Sequence, residues 1–475
     1  MRRNEVCPTE TVGLISLGCA KNRVDSEQML GLLRKAGHPI TADPARAEIL
    51  IVNTCGFIGK AKEEAVSTLL EAARYKTDGV CRSLIAAGCL VQRYPDALRE
   101  EMPEIDAFIG VTEYPRIVEL VESVTNARLN AELTPDGIRT SVITAVSRAT
   151  ADTPVFECAP DTPRVTTQPG AFAYVRVADG CDNHCAYCAI PSIRGPFRSR
   201  AMESVLDESA LRVGDGAREI VYIAQDTTRF GMKSGDGAAR SRLPLLLRRA
   251  ARLPGEPWVR TLYCHPARVT DDLLDTLAGT PGVCPYLDAP LQHVDRDVLR
   301  RMNRWGDPDS IMKLLEKARG LGLTIRTTFL VGFPGEDEAA FRRLYDFAEA
   351  FGFDRMGAFA FSPEEGTPAY EMPGAVSDRA CADRLDALMR MQRGVSLSRN
   401  KLRIGNVEDV LIERIAADRN SRGGVVYEGR GAREAPESDG VIRVRSAEPL
   451  ALGGVVRARI TRARHYDLEG ETVSI

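Results

Sequence analysis

Three apolar runs near the start of the chain each end on a cysteine: SLGC at Cys19, VNTC at Cys55 and AAGC at Cys89. The intervals are 36 and 34 residues, about the length of one strand–helix–strand crossover. Thr11–Leu17, Glu48–Val52 and Ser83–Ala87 read as buried strands, and helical apolar spacing occupies Arg23–Lys35 and Lys60–Arg74 between them. A further helix is expected near Pro95–Glu101 and a short strand at Asp106–Ile109. Apolar strands alternating with helices form a parallel sheet covered on both faces. Ligands of such sheets bind beyond the carboxyl ends of the strands, so three thiols at neighbouring strand ends converge. A single buried cysteine is an ordinary small apolar residue. Three at the same place in successive units point instead to a shared cluster, with no fourth ligand evident.

A second triad stands in CDNHCAYC, where Cys181, Cys185 and Cys188 follow a C-x3-C-x2-C spacing with Tyr187 before the last cysteine. The next cysteine is Cys264, far along the chain. Three thiolates on one loop can hold three irons of a 4Fe–4S cube and leave the fourth iron open to a substrate, whereas electron-transfer clusters are closed by four. A structural zinc is the alternative, and it needs four closed ligands. His184 is the available fourth, but it adjoins Cys185, and adjacent side chains rarely meet at one small ion.

At 475 residues the chain can hold two to four domains of about 100–200 residues. A net charge of −3 excludes the global basic field that dominates nucleic-acid binding. Twelve cysteines without paired spacing in a chain this long do not make a disulfide framework. Cys7, Cys81, Cys158, Cys264, Cys284 and Cys381 show no pattern and read as structural or incidental. No stretch reaches the roughly 18 apolar residues of a membrane span, and MRRNEVCPTE has no apolar run after its arginines. The expectation is a cytoplasmic protein with no membrane partner.

The domain reading is an N-terminal α/β sheet domain over 10–125, a linker over 126–168, a second βα series over 169–400 and a small β-module over 401–475. The second series has strand candidates at Phe172–Val177, Glu219–Ala224, Val259–Cys264, Tyr286–Asp288, Thr324–Val331 and Met356–Phe361, with helices such as Ile311–Arg319, Glu338–Phe351 and Asp378–Gln392. Six strands fall short of the eight of a closed barrel. A partial (β/α)6 barrel leaves an open side suited to a macromolecular substrate, and the CDNHCAYC loop sits at its carboxyl-terminal mouth. The β-module has strands at Asn406–Ile415, Val425–Tyr427, Val441–Val444 and Val455–Thr461 and is nearly neutral. Arg457, Arg459, Arg462 and Arg464 give it a local basic edge, either a solvated strand face or a binding surface.

Both triads and the β-tail together resemble the radical S-adenosylmethionine methylthiotransferases along nearly the whole chain. CDNHCAYC is similar to that superfamily's C-x3-C-x-aromatic-C signature. The resemblance implies an auxiliary 4Fe–4S cluster on Cys19, Cys55 and Cys89, a radical SAM 4Fe–4S cluster on Cys181, Cys185 and Cys188, a central barrel of radical SAM type and a small antiparallel TRAM module that binds the substrate. SLGCAKNRVDSE, VNTCGFIGKAKEEA, AIPSIRGPFRSR, AREAPESDG and HYDLEG look like the branch that modifies an aspartate of the twelfth small-subunit ribosomal protein. The alternative branch methylthiolates an isopentenylated adenosine in tRNA. Ala178-Asp179-Gly180 stands where many members of the family have an acidic residue before Gly-Cys, and the linker is long.

The resemblance further implies that S-adenosylmethionine binds the open iron, that a radical derived from it takes hydrogen from the aspartate β-carbon, and that the auxiliary cluster holds the sulfur. The implied partners are the ribosomal protein or the small subunit and an electron donor such as flavodoxin or ferredoxin. Tyr187 is a candidate contact to adenine or cluster, or a structural aromatic. VGFPGE (Val331–Glu336) and PLQH (Pro290–His293) lie at or after strand ends, and Asp288, Gln292, His293 and Arg326 are pocket candidates on position alone. A non-catalytic iron–sulfur scaffold or electron carrier is a further reading, and it calls for four-cysteine ligation.

Overall fold

The computed structural model describes residues 9–132, 142–156, 164–167, 171–233, 240–416 and 424–473. Cys7 and Cys158 lie outside the described residues. Strands β1 (Val12–Ser16), β2 (Ile40–Thr41), β3 (Ile49–Thr54), β4 (Ser83–Gly88), β5 (Ala107–Ile109) and β6 (Ile143–Ala145) form a parallel sheet in the order β2-β1-β3-β4-β5-β6. Every residue of β3 and β4 is buried, because helices cover both faces. Alternation along β3 divides the core. Ile49 and Ile51 pack with Met29 and Leu33 of helix α1 (Ala20–Lys35), while Leu50 and Val52 pack with Ala65 and Leu69 of helix α2 (Gly59–Ala73).

Parts of residues 126–168, expected as a linker, belong to folded elements. A helix, Ile117–Glu132, runs into the segment, and β6 adds an edge strand to the sheet. Arg164 is a buried clamp. Its guanidinium donates to Glu27 of α1 at 2.6 Å and to Glu208 of the barrel at 3.1 Å. Short strands and single charged clamps carry no periodic apolar signal, so the sequence pattern passes over them.

The central region is six parallel strands: β7 (Phe172–Arg176), then, after a two-residue hairpin pair β8 (Ala178–Asp179) and β9 (Arg198–Ser199), strands β10 (Glu219–Ile223), β11 (Trp258–Thr261), β12 (Tyr286–Asp288), β13 (Thr324–Val331) and β14 (Arg355–Ala360). Two ladders, β11-β10-β7 and β12-β13-β14, meet through an isolated parallel bridge, Val259–Val283. β7 and β14 are the free edges of this partial barrel, as six strands predict. The last helix, Asp378–Lys401, runs beyond the expected Gln392, because its final turns pack polar Ser396 and Asn400 rather than an apolar stripe.

The tail is a closed five-stranded barrel in the order β15-β16-β17-β19-β18, with β15 (Val407–Ile415), β16 (Val425–Arg430), β17 (Ile442–Ser446), β18 (Val455–Ala463) and β19 (Leu468–Thr472). β19 is not legible in the sequence pattern. It closes the barrel by pairing parallel to β17, so one pairing departs from the antiparallel arrangement. The tail is tied to the central barrel through Gly431–Gly440. Ala435 packs among Phe172, Tyr174 and Tyr286. Tyr286 donates to Asp439 at 2.6 Å, Arg355 donates to Glu434 at 2.8 Å, and Arg403 also pairs with Glu434. Arg430 reaches Glu219 at the foot of β10 at 2.7 Å. Of the expected basic edge, Arg462 and Arg464 share Glu469, Arg459 donates to the Gly405 carbonyl, and all are exposed.

Burial alone raises Glu434, but Arg403 and Arg355 outweigh it and hold the carboxyl down at about 2. Replacing Glu434 by Gln takes a carboxylate from buried Arg355 and half-buried Arg403, an expected loss of about 3–5 kcal/mol, read as an earlier denaturation midpoint. The sign with pH follows: the carboxylate's contribution is complete above its unfolded value of about 4.3 and is lost as pH falls towards about 2. Acid titration of wild-type stability across that window should be steeper than that of Glu434→Gln.

Candidate active site

One cavity of about 340 Å³ between the N-terminal sheet and the barrel is lined by Cys19, Cys55, Cys89, Cys181, Cys185 and Cys188 together. A cavity of about 400 Å³ between barrel and tail has no cysteine in its wall.

Cys19 caps α1 with extended backbone (φ −96°, ψ 170°), and its side chain makes no cap hydrogen bond. Cys55 directly follows β3, and Cys89 opens the helix Cys89–Arg93 directly after β4. The residue before Cys19 has to be glycine. Gly18 has φ +85°, and a Cβ there would stand 2.8 Å from the Cys55 Cβ and 3.0 Å from its sulfur. Cys19 is exposed, Cys55 half-buried and Cys89 buried. Burial pushes the Cys89 thiol up to about 12, against the pull of Arg194, and raises Cys55 as well; Cys19 acts on both.

The second triad is bracketed by the β8–β9 pair. Gly180 enters the loop at φ +75°, where a Cβ would lie 2.0 Å from the Pro196 carbonyl oxygen. The Cys181 amide donates to the Gly195 carbonyl at 3.1 Å, and the Cys188 amide to the Cys185 carbonyl at 3.0 Å, which folds the thiols towards one side. Asp182 accepts from the Phe197 amide at 2.8 Å, and Asn303 holds the His184 carbonyl at 2.9 Å. His184 itself is exposed, with φ 48°. Burial raises Cys181 to about 11, and burial with the neighbouring Cys185 raises Cys188 to about 12. Arg304 donates to the Cys185 sulfur at 3.7 Å and to the Pro290 carbonyl at 2.6 Å.

Among the described residues no three His, Cys, Asp or Glu side chains are gathered for a single metal ion. A cube makes no such demand, since each thiolate binds its own iron. The donor set fits two such cubes: two thiol triads, each on its own loop or strand-end set, around one shared space with apolar Phe57 and Ile190 in its wall.

A buried ion-pair network joins the triads. Arg194, 1 % exposed, donates to Asp25 of α1 at 2.8 Å, to Asn22 at 2.9 Å and to Asp179 of β8 at 3.3 Å. Arg176 of β7 also pairs with Asp25. Asn22 holds the Leu17 and Thr54 carbonyls, so the approaches to Cys19 and Cys55 are fixed to the same unit. Asp179 is the acidic residue beside Gly-Cys, and the guanidinium groups of Arg194, Arg176 and Arg198 overcome its burial and hold it well below the usual carboxylate range.

Of the residues singled out on strand-end position, Gln292 and Pro290 line the cavity, and Tyr187 lines it edge-on to Phe333 at 6.4 Å. Three do not. His293 is turned away and buried, 3.5 Å from Glu336. Asp288 lies beneath the wall, accepting from the Tyr263 amide at 2.7 Å and from Arg326 at 3.2 Å. Arg326 faces the cavity next to the tail. Glu336 of VGFPGE closes its own turn, accepting from the Gly332 amide at 2.9 Å and pairing with Arg384 at 2.8 Å. Sequence reasoning missed Lys21, Asn183, Arg194, Tyr263, Cys264 and Arg304, all in the wall. Tyr263 (φ 63°) and Gln292 (φ 72°) hold left-handed backbone that non-glycine residues rarely adopt, and such strain gathers at functional sites.

Family models match three consecutive parts of the chain: the uncharacterized protein family UPF0004 over residues 11–110, the radical SAM superfamily over 175–348 and the TRAM domain over 404–473. The chain is 45 % identical over 463 residues to a ribosomal protein uS12 methylthiotransferase RimO of Desulforamulus reducens, covering 97 % of this chain and 99 % of the relative. It is 42 % identical to the RimO of Heliobacterium modesticaldum, covering 99 % and 97 %. The chain belongs to the RimO family. Among solved structures it resembles in fold the radical S-adenosylmethionine methyltransferase TsrM of Kitasatospora setae, solved with cobalamin and a [4Fe-4S] cluster bound (TM-score 0.55, 17 % identity, 76 % of this chain and 74 % of that one).

Arg194 gives a direct test of the network. Substitution by Met leaves Asp25 short of a partner and Asp179 with weaker ones in a dry setting, so denaturation should show a loss of about 3–5 kcal/mol. A loss under about 1 kcal/mol, the scale of a surface pair, would mean that the network does not hold the two domains together.

Proposed function

We propose that this RimO-family chain methylthiolates the β-carbon of an aspartate in ribosomal protein uS12, in the cytoplasm, by radical SAM chemistry with two 4Fe–4S clusters. One observation carries the reading: two thiol triads from different domains face one cavity. Cys181, Cys185 and Cys188 would hold the radical SAM cluster with its fourth iron open to S-adenosylmethionine, and Cys19, Cys55 and Cys89 the auxiliary one. When bound, these groups supply one-electron chemistry at an unactivated carbon and the sulfur to be transferred, which no acid–base side chain can do.

The chain's own residues position and shield. Arg304 donates to the Cys185 sulfur, a contact of the kind that tunes cluster potential. Phe57, Ile190 and Tyr187 exclude water from the shared space. Arg194, through Asp25 and Asp179, keeps the two triads in register. The one-electron donor is a small redox protein of the flavodoxin or ferredoxin class, and the substrate is met on uS12 or on the small subunit. Among the described residues no helix is long and apolar enough to cross a membrane.

Substitution separates the roles. Cys185→Ala should abolish 5′-deoxyadenosine formation from S-adenosylmethionine. Cys55→Ala should retain part of it and lose transfer of the methylthio group; unchanged transfer would refute the auxiliary assignment. Mass spectrometry of uS12 and tRNA from a deletion strain decides between substrates. Loss of a methylthio group from uS12 with tRNA unaltered is expected, and the reverse would favour the tRNA reaction.

A further inference from the structure

Lys21 is set apart from the other charged groups of the six-cysteine cavity. Arg194, Arg304 and Asp226 each have oppositely charged or carbonyl partners. The Lys21 ammonium has no such partner among the described residues, although the side chain is 8 % exposed. The ammonium lies over the face of the Tyr263 ring, 3.5 Å from Nζ to the centroid. That platform is itself held in strain, since Tyr263 has φ 63° and its amide is fixed by Asp288 at 2.7 Å.

The position is also unfavourable for a cation. Lys21 lies in the first turn of α1, at the positive end of the helix dipole, and that turn carries no acidic residue. A buried ammonium at a helix N-terminus is stable only when an anion completes it. Arg304 stands beside Cys185, whereas Lys21 is two residues from Cys19, on the side of the N-terminal triad. A group receiving sulfur from that side must come within reach of this ammonium.

We propose that Lys21 binds the carboxylate of the target aspartate, with Tyr263 as its platform, and so sets the preference of the site for an acidic side chain. The inference rests on the function proposed above. A carboxylate attached to the reacting carbon is the anion that arrives with substrate and leaves with product. A fixed ammonium orients that carbon and penalises a neutral amide, because the amide leaves the cation unpaired.

The test uses the full-length protein with clusters reconstituted and two fluorescent synthetic peptides, one spanning the target aspartate of uS12 and one with asparagine there. Wild type should bind the Asp peptide about tenfold or more tightly than the Asn peptide, the scale of one charge-assisted contact. Lys21→Met should weaken the Asp peptide by a similar factor, leave the Asn peptide within about twofold, and keep iron content. Lys21→Arg should retain part of the discrimination. Equal weakening of both peptides, or an unchanged Asp-to-Asn ratio, overturns the proposal in favour of a structural or cluster-balancing lysine. If Lys21→Met fails to take up iron, wild type and Lys21→Arg decide, and equal affinity of wild type for both peptides overturns it. Absence of any modification of the Asp peptide by wild type is a separate result, which overturns the uS12 reading itself and this proposal with it.

Discussion

A guanidinium shared by two carboxylates of different domains fixes those domains to one another as well as to itself. Arg194 lies between Asp25, six residues after Cys19, and Asp179, two residues before Cys181. Everything at the site follows from that placement. The three strand-end thiols of the sheet and the three loop thiols of the barrel face the same space because the charges behind them cannot be separated without stranding a buried ion. Arg176 and Arg164 repeat the device nearby, pairing with Asp25 and Glu27, two residues apart on α1. Helix α1 thus bears one cysteine at its cap and the two acids that clamp it to the barrel.

The far side of the barrel is closed by a related arrangement. The tail sends Ala435 into an apolar seat and Glu434 and Asp439 onto barrel and helix-end cations and a buried tyrosine. Arg326 and Asp288 continue from there towards Tyr263, which lines the cavity. A continuous set of contacts therefore runs from the tail to the cavity wall. An orientation of the tail module is built into the same framework that positions the thiols.

Much of this was legible in the sequence, for a physical reason. Strands buried on both faces are largely apolar, so β3 and β4 announce themselves, and thiols at their ends or on a short loop are visible as spacing. Side-chain direction was not legible. Gln292 and His293 are adjacent, but the left-handed backbone at Gln292 (φ 72°) turns the chain there, so one lines the cavity and the other packs on Glu336. Arg326 is the third residue of an eight-residue strand and so belongs to the opposite end of the barrel from the site. The clamps were hidden for a different reason. Ion pairs between Asp25 and Arg194, or Arg164 and Glu208, join residues far apart in the chain and leave no local period. β6 and β19, short and half-polar, were lost in the same way.

The central claim is that two clusters share one cavity, and it is tested most directly by the magnetic interaction between them. Electron paramagnetic resonance of the holoprotein with both clusters reduced should give spectra broadened by spin–spin coupling, which collapses to a single-cluster signal in Cys55→Ala. A wild-type spectrum equal to the simple sum of two isolated clusters, or one containing a single cluster only, would contradict the account.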